Sequence, residues 1–232
     1  MEIIISFAIF FIFIILLFLV IRPSKFQSEK VSLVKHLESE LSPYLSTSLI
    51  VTSIVNKTGT SGTCFSIPNL PETKGLKVVV KDKDKKSVNA FVSSDSKLFV
   101  SQPAGFFNIY YNERLDEANF TISPPGCQNL TLADYQLGLI NNLTFVSLNK
   151  TSQLAHDLGE PAVYNSIKTK FGVPANSDFG FFLRDAANEK IVYTENKEKL
   201  GSSVEVYAEE FPISYIDDKA NLNQGWINIQ VW

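Results

Sequence analysis

The first apolar pattern along the chain is continuous rather than periodic. Residues 3–21 read IIISFAIFFIFIILLFLVI, nineteen positions without a charge, proline or glycine and with Ser6 as the interruption. At ~1.5 Å per helical residue this run covers roughly 28 Å, the hydrocarbon thickness of a bilayer, and it is expected to be a transmembrane helix. After Arg22, Pro23 and Ser24 open a differently patterned helix, with Phe26, Leu33, Val34, Leu37 and Leu41 as its apolar positions. Glu29, Lys30, Lys35, Glu38 and Glu40 fill the other side. The pattern predicts an amphipathic stalk of about five turns that ends at Ser42-Pro43, because a residue before proline is pushed out of the helical region.

Beyond the stalk the apolar runs shorten to strand length. Strands are predicted over 49–55, 75–80, 87–92, 97–100, 105–111, 119–122 and 143–148, with the charged block 81–86 as a hairpin tip. Residues 59–62 read as a polar loop, and 93–95, 102–103 and 124–126 supply turns. Residues 152–171 return to helical spacing, with Pro161 tolerable in a first turn and Val163, Tyr164, Ile167 and Phe171 on one face. Gly172-Val173-Pro174 stops that helix. Residues 179–184 and 190–193 form a hairpin in composition, 204–216 a long strand bending at Pro212, and 226–232 a closing strand.

The expected fold class is α+β: an N-terminal transmembrane helix and an amphipathic stalk helix, then a mainly antiparallel, sandwich-like extracellular domain with one inserted helix. The corresponding segments are 1–22 (anchor), 23–58 (juxtamembrane helix and connector), 59–150 (β-rich region) and 151–232 (helix plus antiparallel strands). Abundant Phe and Tyr between Ser, Thr and Asn agree with strands. Charge is nearly balanced, 21 basic against 24 acidic residues with no uniformly basic segment, which argues against nucleic acid as a partner.

Cys64 and Cys127 lack the paired spacing of a zinc site. They are either a disulfide, closing a loop of about 64 residues worth roughly 4 kcal/mol, or two buried thiols. Five N-x-[ST] triplets begin at Asn56, Asn119, Asn129, Asn142 and Asn149 and are candidate glycosylation sites. Together with the cysteine pair they point outside the cell. Arg22, Lys25 and Lys30 follow the apolar run while only Met1 and Glu2 precede it, and the positive-inside rule alone would put the C-terminal side in the cytoplasm. A long domain translocates regardless of such flanks, so the expectation is a single-pass cell-membrane protein, uncleaved, with its C-terminal domain outside.

Catalytic chemistry has little to stand on. Asp82 and Asp84 lack the third oxygen ligand, glycine and distal Glu of an EF-type calcium loop. His156-Asp157 has no activated nucleophile beside it and reads as a surface or capping pair. The aromatic run 106–111 is a stacking platform or, as strand aromatics more often are, core. No catalytic, cofactor-binding or metal-ligating residue is assigned, and the expectation is a non-enzyme.

Residues 164–174 (YNSIKTKFGVP) with 178–181 (DFGF), and the ending 206–212 with 226–232, resemble a helix-then-strand unit and closing strands of uncharacterised archaeal surface proteins with one N-terminal membrane helix. Some of these are similar to type IV pilin-like proteins. The resemblance implies a non-enzymatic, membrane-anchored subunit of the cell envelope or a filament, with the lipid bilayer and other envelope proteins as partners. The Phe/Tyr-rich strands leave open a membrane-tethered glycan- or ligand-binding module.

Overall fold

The computed structural model describes residues 2–57, 64–68, 76–93, 95, 97–101, 105–116, 127–194 and 205–232; within the first helix, side chains are described at 6, 7, 9–17 and from 29 onward. The expected strand 119–122, the loop 59–62 and the turns at 102–103 and 124–126 lie outside the described residues.

Anchor and stalk, expected as two helices meeting at Pro23, are one: α1 runs over Glu2–Leu45, 44 residues, through both Pro23 and Pro43. A proline's fixed φ fits a helix, and its cost is a lost hydrogen bond and a steric clash of ~3 kcal/mol. Burial of Val34, Leu37 and Leu41 at 0–1% exposure offsets it, each contributing about 1.5–3 kcal/mol.

The membrane anchor is corrected. Among the described residues no helix is long and apolar enough to cross a membrane. The transmembrane element of the expected fold class and the single-pass cell-membrane location are overturned with it. The fold is a mixed α/β one in which strands dominate.

The chain divides into two compact units. One comprises Met1–Tyr44, Leu154–Pro212 and Trp226–Trp232; the other comprises Leu45–Gln153 and Ile213–Gly225.

The second unit is built around β1, Ser46–Asn56. It pairs antiparallel with β10 (Asn141–Ser147), in register Ser46↔Val146, and with β7 (Phe106–Asn112), in register Ile50↔Tyr111. The end of β1 pairs with β9, Tyr135–Leu137. Beyond β7 come β3 (Lys77–Asp82) and β4 (Ser87–Val88). The far edge of β10 pairs parallel with β13, Tyr207–Ile216, at Val146↔Tyr215. A four-stranded sheet runs β5 (Ala90–Val92), β6 (Leu98–Ser101), β2 (Cys64–Ile67), β8 (Gln128–Asn129), the last pair parallel. The predicted strand 87–92 is thus two, because the chain changes sheets at Asn89, whose carbonyl accepts the Ser101 N–H at 2.9 Å.

Alternation explains which face of each strand is buried. Ile54, Val78, Val80, Phe107, Ile109 and Tyr111 pack with Phe65, Ile67, Leu98 and Val100 in one core. Val79 points the other way, into a smaller cluster with Leu49, Leu115, Ile216 and Ala220. β3 is covered on both faces, which is why it reads VVV instead of alternating.

The predicted helix 152–171 is also two: α2, Leu148–Gly159, which crosses from the second unit into the first at Leu154, and α3, Pro161–Lys170, in the first. Pro161 opens α3 at its first turn and holds Glu160 extended, φ −85°, ψ 112°. The expected hairpin forms from β11 (Phe179–Asp185) and β12 (Lys190–Tyr193), with Asn188 left-handed at φ 66°. The closing strand β14, Leu222–Val231, begins four residues before its predicted start. Phe171 joins the aromatic packing edge-on, 5.3 Å from Tyr44 and 6.1 Å from Phe179.

Candidate functional site

The first unit holds a cleft of about 400 Å³. α1 supplies Glu29, Lys30, Ser32, Leu33 and His36, the segment after α3 supplies Gly172, Pro174, Asn176 and Ser177, and Trp232 closes one side. Glu29, Ser32, Leu33 and His36 lie three, four and seven residues apart, so a helix presents them together. The volume falls within the range of small-molecule sites, roughly 300–1,000 Å³.

The wall after α3 is fixed by a chain of hydrogen bonds. Phe171 N–H donates to Ile167 O at 3.0 Å, Gly172 N–H to Thr169 O at 3.1 Å and Val173 N–H to Lys168 O at 3.0 Å, which closes the helix end. Gly172 is left-handed, φ +64°, and a Cβ there would meet His36 Nε2 at 3.1 Å. Lys168 Nζ donates to Ala175 O at 3.1 Å and to Asp178 Oδ1 at 3.0 Å. The Tyr164 hydroxyl donates to Asp178 Oδ1 at 3.1 Å and accepts the Phe179 N–H at 2.9 Å; burial pushes its phenol up, so it stays neutral. Asp178 and Trp232 exchange backbone hydrogen bonds at 2.8 and 3.0 Å, tying the cleft's tryptophan to the same frame.

His36 Nε2 lies 3.1 Å from the Phe171 carbonyl, to which it donates in its Nε2–H form. Lys30 Nζ donates to Glu205 O at 2.5 Å. Among the described residues the side chains of Glu29, Ser32, Asn176 and Ser177 have no hydrogen-bond partner.

A second feature is the start of α1. Phe7, Ile9, Phe10, Phe11, Ile12, Phe13, Ile15, Leu16 and Leu17 are each 43–63% exposed. Residues 9–13 are consecutive, and at ~100° per residue they point in every direction around the helix.

Cys64 and Cys127 form a disulfide, which decides between the two sequence readings. It sits one step before the parallel pairing Phe65↔Gln128, so it clamps β2 to β8 at their shared start. Such crosslinks persist in oxidising compartments rather than the cytosol. Of the sequon asparagines, Asn119 is outside the described residues. Asn129 is exposed on β8 and accepts from Ser66 Oγ; Asn142 is exposed on β10 and accepts from Ser48 Oγ. Asn149 Nδ2 donates to Arg114 O at 3.0 Å, and Asn56 is half-buried at the end of β1.

The exposed His156 stands beside the half-buried Asp157, Nδ1 to Oδ1 3.7 Å. Asp82 caps its own turn, Oδ1 accepting the Asp84 and Lys86 N–H groups at 2.9 Å each. In the aromatic strand Phe107 and Tyr111 are buried while Phe106 is 37% exposed, so core is the right reading for one face.

Sequence reasoning missed the cleft. Of its α1 residues only Glu29 and Lys30 were read on the polar side of an amphipathic helix, with Leu33 on the apolar side, and Asn176, Ser177 and Trp232 carry no local signal that places them against α1. Comparison with protein-family models, with curated proteins and with solved structures finds no match.

Proposed function

We propose that the protein is a non-enzymatic assembly subunit of the cell envelope, pilin-like in using an apolar N-terminal helix for packing and strand-rich regions for the outward face. The observation that carries this is the all-round exposure of residues 9–13. A single partner groove covers one stripe of a helix; an apolar surface on every side needs several neighbours. Identical copies meet that need, since each helix that must be surrounded also helps to surround the next. The disulfide supports a place outside the cytosol.

Sedimentation velocity of the full chain without detergent tests the reading. Wild type should run as large assemblies and Phe10→Asp/Leu16→Asp as the 25.9 kDa monomer. A monomeric wild type, an unchanged size distribution in the double variant, or a wild type that floats with lipid vesicles instead of self-associating overturns it.

A further inference from the structure

We propose that the cleft between the polar face of α1, the segment after α3 and Trp232 is a binding site for a neutral saccharide of one or two rings. Three observations converge on that ligand class. First, the lining pairs apolar walls, Leu33, Pro174 and Trp232, with hydrogen-bonding groups; a pyranose has the same division between its C–H faces and its hydroxyl rim. Second, the uncommitted side chains Ser32, Asn176, Ser177 and Glu29 supply both donors and acceptors, as hydroxyl groups require, while a site for an anion or a cation would present one kind. Third, formal charge nearly cancels: Glu29 stands against Lys30, whose ammonium already donates to the Glu205 carbonyl.

The frame is built before the ligand arrives. Gly172 leaves space beside His36, the Phe171 carbonyl fixes the imidazole, and Lys168, Tyr164 and Asp178 hold the wall that carries Asn176 and Ser177. A site whose walls are already ordered has little ordering cost on binding.

The chain has two tryptophans, so Trp226→Phe leaves Trp232 as the single indole reporter in the full-length protein. Its fluorescence is titrated with glucose, N-acetylglucosamine and maltose, and with sodium phosphate and γ-aminobutyric acid as charged controls. At least one sugar should give saturable change with Kd of about 1 mM, typical of a few hydrogen bonds and one stacked ring, and neither control should. Asn176→Ala, on the exposed rim, should weaken that Kd about fivefold with an unchanged melting temperature. Absence of saturation by all three sugars up to 50-fold above that Kd, saturation by a charged control, or unchanged sugar affinity in both Asn176→Ala and Ser32→Ala overturns the proposal.

Discussion

Asp218 shows how a single carboxyl can work against the fold at neutral pH. Burial first, and then its hydrogen bond and charge repulsion with Asp116, hold its carboxyl above the usual range, and Asp217 adds to the repulsion. A group that binds its proton more tightly when folded stabilises the fold below its unfolded value of about 3.8 and loses that contribution as pH rises through its folded value. Asp218→Asn should therefore raise the melting temperature by about 1–3 °C at pH 7 and by nothing at pH 3, read by calorimetry at both values. Tyr164 is the opposite case, a buried hydroxyl fully used. Tyr164→Phe strands the Phe179 N–H, which now donates to it at 2.9 Å, and should cost about 1–3 kcal/mol in urea unfolding. A loss below 0.5 kcal/mol would mean that water replaces the phenol.

At the scale of elements, the turn between β3 and β4 has Lys85 left-handed at φ 62°, a conformation that costs L-residues with a Cβ about 1 kcal/mol. Lys85→Gly should stabilise the protein by about 0.5–1 kcal/mol, measured by denaturant midpoint, even though glycine usually weakens a chain. The clamp between β2 and β8 should matter more. Reduction, or Cys64→Ser with Cys127→Ser, should lower stability by about 2–5 kcal/mol in the same assay. These elements also mark what could be read from sequence. The strands β1, β3, β6, β7 and β10 were legible as short apolar runs of strand length, set off by polar, turn-forming stretches. α1 was misread at Pro23 because a local rule about proline was allowed to decide a contest that distant burial of Val34, Leu37 and Leu41 settles. Residues 152–171 were misread for the converse reason: the helical face continues across Pro161, but Glu160 is extended there, at ψ 112°, and splits the run. The cleft was illegible because its residues come from three stretches that only the tertiary fold brings together.

Across the whole molecule, neither compact unit is a continuous piece of chain. The first takes three segments and the second two, with β13 and β14 contributing to both. Removing residues 206–232 therefore takes Asp178's backbone partner at Trp232 from one unit and Tyr215's pairing with Val146 from the other. The truncated chain should lack a cooperative thermal transition, whereas removing one autonomous domain would leave a second melting event intact.

That interleaving bears on biogenesis. During synthesis the apolar start of α1 emerges long before the residues that complete either unit are available. Trp226–Trp232 are made long after Met1–Tyr44 yet belong to the same compact unit. Vectorial, piece-by-piece folding is closed to such a protein, because neither unit is complete until residues 213–232 have been made.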